Sequence, residues 1–235
     1  YTKNNVGLCT ATNLAAAEAT TKYILYSHDD MYFCPNWDKA LNDELKKTNT
    51  NAYYISATMI EKNSGHIQLD CGNNYNDFDE NKLLNNYKDT NFFDHQGSHW
   101  APHLIHKEYW HKVGGFSEEF NPGIGSDPDL NMKLWKSGVR IFKGLNDFRI
   151  YHFGSISLRK KIKLKRNKGA KTFLLKWRIT PIFFVKYYLR GGSFVDGKIK
   201  CKEFDGPLPE PKKDFFYFIN LSICKIKLIY HKIFR

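Results

Sequence analysis

The sequence predicts an α/β protein, and three observations carry that reading. The aromatic, β-branched run Tyr23-Ile24-Leu25-Tyr26 has the composition of a buried strand and stops at two adjacent carboxylates in His28-Asp29-Asp30. Helical stretches alternate with strand-like runs as far as His152. A second acidic cluster, Ser126-Asp127-Pro128-Asp129, opens a helical stretch about a hundred residues after the first. Open α/β sheets bind ligands beyond the carboxyl ends of their strands, so carboxylates closing a strand fall where chemistry is placed. Hard oxygen ligands there suit Mg2+ or Mn2+, which bind through one or two carboxylates and substrate phosphates. Each cluster also has a plainer reading: an Asp-rich turn for the first, a helix N-cap for the second.

Taken in order, residues 9–21 are Ala/Thr-rich and predict a helix, 23–28 a strand, and 37–48 a helix ending in Lys46-Lys47. Residues 53–60 predict a strand, turned by Asn63-Ser64-Gly65 into a hairpin partner at 66–70. The Asn- and Asp-rich span 71–99 predicts irregular chain with a short helix near 80–87, and a loop of that length is commonly functional, here shaping an acceptor site. Residues 100–106 predict a strand and 107–113 a short helix. The helix at 128–137 stops at Gly138, and strands follow at 139–144 and 148–152. No internal repeat is present.

Order and context add a resemblance. Asn5-Val6-Gly7, Asn13 before a helix, the strand ending in His28-Asp29-Asp30, and Pro35-Asn36-Trp37 after it resemble the inverting nucleotide-sugar glycosyltransferases of the GT-A type, family 2-like. Gly114-Gly115-Phe116-Ser117-Glu118 is similar to that family's Gly-Gly-Phe-Asp-Glu, and Ser126-Asp127-Pro128-Asp129-Leu130 to its Glu-Asp-x-Asp-Leu. Tyr151-His152-Phe153-Gly154-Ser155 stands where the family often has a metal-binding His. The resemblance covers roughly residues 3 to 158 and implies a Rossmann-like, mostly parallel sheet flanked by helices. The family carries further strands upstream, so the first βαβ portion is expected to be missing from a truncated chain, since a parallel sheet without it would expose a long edge.

The resemblance also implies roles. A divalent cation, Mn2+ or Mg2+, would neutralise the nucleoside diphosphate leaving group, held by Asp30 with His28 nearby and His152 as a third ligand. Asp127 would be the general base that deprotonates the acceptor hydroxyl. Asn5, Gly7, Asn13 and Asp29 would contact the nucleotide-sugar donor, although Asn is also common in turns. Asp129 is expected to cap its helix and orient the loop, and Glu118 and Glu119 to lie in a solvated turn. Two departures matter: His28 occupies the place of the motif's first carboxylate, and Ser126 replaces the usual Glu. They keep a second reading open, a catalytically degenerate protein that binds a nucleotide or glycan without turnover. No Gly-x-Ser-x-Gly or Walker motif is present.

Charge divides the chain. Residues 1–158 hold 15 Lys+Arg against 19 Asp+Glu, and residues 159–235 hold 21 against 5. The expected organisation is a catalytic domain at 1–158 and a basic helical extension at 159–235. The extension lacks any nucleic-acid-binding signature, so nucleic acid is not expected as a partner. Its apolar run from Phe215 is too short to span a bilayer, yet the basic residues beside it suit an interfacial helix on anionic lipid. The plainer alternative is a helix packed on the catalytic domain with its lysines in water. Surface attachment would suit a lipid-linked or envelope acceptor. Five cysteines without Cys-x-x-Cys spacing predict reduced thiols and a cytoplasmic protein, peripheral on the membrane's inner face. His95, His99, His103, His106 and His111 span loop, strand and helix without Cys partners, and are expected to pack or face solvent rather than bind zinc. Trp37, Trp100 and Trp135 are expected in the core, with Trp100 near enough to the site to stack on a sugar.

Overall fold

The computed structural model describes residues 4–89, 92–154, 168–195 and 198–233. The expected boundary at 158/159 lies outside these residues.

The fold is α/β, as the sequence predicts. Five strands form the body of one sheet in the order β1 (Tyr23–Tyr26), β6 (His103–His106), β3 (Tyr53–Glu61), β7 (Ile141–His152) and β2 (Met31–Phe33). Two short strands join it: β4 (Ile67–Gln68) pairs with β3, and β5 (His95–Gln96) with β7. Strand β3 is central and buried at every position from Tyr53 to Ile60, its polar Ser56 and Thr58 included. Parallel pairing joins β3 to β7 and to β4, whereas β1·β6, β3·β6, β2·β7 and β5·β7 are antiparallel. The sheet is thus mixed where a mostly parallel one was expected. Because β6 is antiparallel to both β1 and β3, the strands β1, β3 and β7 run the same way and end at the same side.

Three local expectations change. The 66–70 segment is no hairpin partner: β4 lies parallel to β3, after a turn in which Gly65 takes φ 84° with no room for a Cβ beside the Met59 carbonyl. The predicted strands 139–144 and 148–152 are one strand, interrupted by a bulge where the register passes from Ala57↔Leu145 to Thr58↔Arg149. Arg149 holds the bulge by donating Nε to the Asn146 carbonyl at 2.9 Å and Nη2 to Asn146 Oδ1 at 2.6 Å. Strand β2 has three residues, too few to show a period in sequence, and it sets the site because Ser27–Asp30 thereby links the two outer strands of the sheet.

Helices cover the sheet: α1 (Leu8–Glu18), α2 (Trp37–Lys47), α3 (Glu80–Asn86), α4 (Lys107–Val113) and α5 (Ser126–Lys136). In the C-terminal part follow α6 (Gly169–Trp177), α7 (Pro181–Phe184, continued as a π-helical turn over Val185–Leu189), a hairpin of β8 (Ser193–Val195) and β9 (Lys198–Lys200), and α8 (Phe215–Ile233). Phe173, Phe183, Phe184 and Leu189 share one buried cluster with Phe120, Leu134 and Trp135. Beyond the hairpin the chain bonds back to the first part, Lys202 O to Gln96 N at 2.9 Å, Phe204 N to Asp94 O at 2.7 Å and Leu208 N to Arg140 O at 2.8 Å. No helix among the described residues is long and apolar enough to cross a membrane.

Candidate active site

The turn between β1 and β2 places Asp30, and the antiparallel register Met31↔His152 places His152 beside it. His152 Nε2 lies 3.3 Å from Asp30 Oδ2, and its Nδ1 donates to Glu61 Oε1 at 2.5 Å. Glu61 ends β3, next to β7. Burial alone would lower the His152 pKa, but the two carboxylates outweigh it and raise the imidazole to about 9. Glu61 is held low by its bonds to His152 and Ser64 against its own burial. A row Glu61–His152–Asp30 therefore lies at the common end of β3 and β7. It has the form of a carboxylate that orients a histidine whose far nitrogen faces a second carboxylate.

His28 lies on the same turn, with Nδ1 4.0 Å from Asp30 Oδ1 and Nε2 in a 2.8 Å hydrogen bond with the Tyr26 hydroxyl. Burial lowers its pKa despite Asp30, so the ring is neutral. Asp29 points into solvent at the tip of the turn.

Asp127 stands in the first turn of α5. As a residue it is only half-buried, yet its Oδ1 is enclosed and has no hydrogen-bond partner among the described residues. Burial raises its carboxyl to about 7. The Tyr26 phenol links it to the first cluster: burial raises its pKa, and the nearby charges of Asp127 and Asp30 add to that. Asp127 and Asp30 thus both lie within electrostatic reach of Tyr26, the last residue of β1.

Asp129 has a different task from capping. It is fully buried, accepts Ser117 Oγ at 2.6 Å and Trp177 Nε1 at 2.8 Å, and pairs with Lys176 at 2.9 Å. Lys176 also meets Glu119 at 2.9 Å, so Glu119 belongs to an ion-pair cluster rather than to a free turn. Helix α6 is in this way fastened directly behind Asp127.

Asn13 engages both amide atoms internally: Oδ1 accepts Phe116 N at 2.9 Å and Nδ2 donates to Phe116 O at 2.8 Å. It clamps the loop after α4 that leads to Asp127. Asn5 makes a local turn, accepting Gly7 N at 2.9 Å. Gly7, the N-cap of α1, has φ 84° and lies where an added Cβ would be 2.4 Å from Asn121 Oδ1. Asn121 replaces the missing capping side chain, accepting Cys9 N at 3.0 Å. Glu61, Lys176, Trp177 and Asn121 carry no motif, and only the register and the packing of the extension bring them in.

Of the other histidines, His66, His95 and His103 are buried, while His111 faces solvent. His103 is buried, bonds the Tyr54 hydroxyl at 2.8 Å through Nδ1, and is lowered by burial to about 3. Among the described residues one group has metal-binding spacing, His66, His95 and Cys201. There the Met59 amide donates to His66 Nδ1 at 2.9 Å, which puts the proton of a neutral imidazole on Nε2 and makes that atom a donor instead of a ligand.

No curated protein sequence matches the chain. Among solved structures, the crystal structure of GalNAc-T7 with UDP, GalNAc and Mn2+ aligns at a TM-score of 0.49 and 14% identity, over 74% of this chain and 35% of that one. The chain thus spans about a third of the length of that protein. Residues 1–108 match the family model of glycosyl transferase family 2, a span that holds Asp30 and Glu61 and ends before Asp127 and His152. Over its first 108 residues, which include the carboxylates that close β1 and β3, the chain is thus similar to glycosyl transferase family 2.

Proposed function

We propose that the chain transfers a sugar from a nucleotide-sugar donor to a hydroxyl of a glycan or lipid-linked saccharide, with inversion at the anomeric carbon and with a divalent cation, Mn2+ or Mg2+. The observation that carries this reading is the enclosed Asp127 carboxylate at the same strand ends as the Glu61–His152–Asp30 row.

The donor set fits such a cation. Asp30 supplies hard oxygen, and Glu61 engages Nδ1 of His152, leaving Nε2 as the atom turned toward Asp30. A cation held by Asp30 and His152 would offset the charge of the departing diphosphate. Asp127 takes the acceptor proton. Its carboxyl, raised to about 7, ionises near neutral pH while remaining basic enough to accept a proton there. The acceptor oxygen forms its bond to the anomeric carbon as the bond to the diphosphate oxygen breaks on the opposite face, and that single displacement inverts the centre.

The competing reading is a nucleotide- or glycan-binding protein without turnover. The neutral His28 in the place of the motif's first carboxylate favours it. A panel of labelled nucleotide sugars with Mn2+ separates the two. Transfer is expected from the intact chain and is expected to vanish in Asp30→Ala. In Asp127→Asn turnover should fall by about 10² or more while nucleotide binding survives. Nucleotide binding with no transfer from any donor would establish the binding protein instead.

A further inference from the structure

The longest helix among the described residues, α8, has its two sides in opposite states. Tyr217 and Cys224 are buried, and Leu221 and Leu228 are half-buried against the body of the protein. These positions are three, four and seven apart and define one face. That face is fixed on α7. The Tyr217 ring meets Phe183 edge-on at 5.0 Å, and Asn220 Nδ2 donates to the Tyr187 hydroxyl at 2.9 Å.

The opposite face is apolar and bare. Phe215, Ile219, Ile223, Ile226, Tyr230 and Ile233 follow one another at steps of four, four, three, four and three, and all are exposed, Phe215 at 74% and Ile226 and Ile233 at 67%. Such a stripe runs the full 19 residues, about 28 Å. Single exposed apolar residues are ordinary, but a continuous stripe of this length marks an interaction surface.

Charge identifies the partner. Phe218 and Ile229, both exposed, widen the stripe on one side and Phe216 on the other, and at 100° per residue Lys225 and Lys232 fall beyond the first border and Lys227 beyond the second. All three are exposed, and no acidic residue lies between Phe215 and Ile233. A second copy of the chain packed on this stripe would bring like charges together. An anionic bilayer meets both requirements at once, with acyl chains under the stripe and lipid phosphates beside the lysines. Aromatic rings at both ends, Phe215 and Phe216 at one and Tyr230 at the other, suit the headgroup boundary.

We infer that α8 seats this protein in the plane of an anionic phospholipid surface, its inner face held by α7 and its outer stripe in the acyl boundary. The surface stands apart from the strand-end site and is independent of the chemistry assigned there.

Co-sedimentation of the intact chain tests this with vesicles of phosphatidylcholine alone or with about one-third phosphatidylglycerol, at low salt and at about 0.5 M salt. Binding is expected to the mixed vesicles only and to weaken at high salt. Ile226→Glu with Tyr230→Glu should reduce it tenfold or more, and Lys225→Gln with Lys227→Gln should weaken it and flatten its salt dependence. All four side chains are exposed, so the circular dichroism and melting of these variants should match the parent. Equal binding by the Glu variant and the parent would overturn the inference. So would equal binding to neutral vesicles, or a dimer in solution that the Glu variant splits while the parent ignores vesicles.

Discussion

Glu61 decides which atom of His152 is available. With its pKa raised to about 9 the ring holds a proton on each nitrogen near neutral pH; the carboxylate 2.5 Å from Nδ1 keeps that proton in place, so the proton a cation would displace is the one on Nε2. Glu61→Gln keeps an oxygen at that place but removes its charge. Mn2+ affinity, read by calorimetry or electron paramagnetic resonance on the folded protein, should fall about 10- to 100-fold. An unchanged affinity would remove Glu61 from the metal site. Asp127 offers a second test that needs no substrate. Its folded carboxyl, raised to about 7 from 3.8, lags the unfolded chain in losing its proton as pH rises. Well below pH 3.8 both states are protonated and the residue costs nothing; between the two values the unfolded state alone ionises, and stability declines. Asp127→Asn should therefore melt with the parent well below pH 3.8 and several degrees above it at about pH 8, a difference of about 2 kcal/mol once partial exposure is allowed for. A constant offset at both pH values would mean that burial does not set this pKa. At this scale Asp30, Asp127 and His152 stand in motifs that the sequence displays, and the structure brings Asp30 and His152 within 3.3 Å of each other. Glu61 was not legible, because only the register of β3 against β7 brings it to His152.

At the scale of elements, the sequence reads well where one face is wet and poorly where pairing is remote. Helices α2 and α5 have polar and apolar faces and stand within a few residues of their expected bounds. Strand β2 and the bulge in β7 depend on partners far along the chain, which no local period records. Helix α6 is the clearest instance. Its sequence suggests a basic helix, yet Lys176 and Trp177 both serve the buried Asp129, two residues beyond the proposed base. Removing Lys176 leaves a buried carboxylate with its Ser117 and Trp177 donors and Lys133 at 4.0 Å. Lys176→Met should cost about 1–3 kcal/mol, because the charge it leaves behind is desolvated. Asp129→Asn added to it should recover much of that loss in thermal melts, as coupled partners do. Strictly additive losses would show that the pair does not hold α6 in place.

For the whole molecule, composition draws a line that packing does not respect. Charge separates an acidic first part from a basic second part, and the sequence reads the second as an appendage. Yet α6 and α7 put Phe173, Leu174, Phe183, Phe184 and Leu189 into the cluster that holds Trp135 of α5 and Phe120 of the preceding loop. Residues 202–208 add backbone bonds to β5 and to the start of β7. Net charge is a property of surfaces, and it carries no information about which apolar side chains from the same segment face inward. Two deletions separate the roles. A chain ending at residue 168 loses these five large buried side chains and Ile179 and Leu208 with them, each supporting the core at roughly 2–5 kcal/mol, more than a domain of ordinary stability can lose. It should show no cooperative melt and should bind a hydrophobic dye. A chain ending at residue 211 loses α8, of which only Tyr217 and Cys224 are buried, and should keep a cooperative transition at lower temperature. If the 168-residue chain melted cooperatively near the parent temperature, the second part would be the separable extension that its charge suggests.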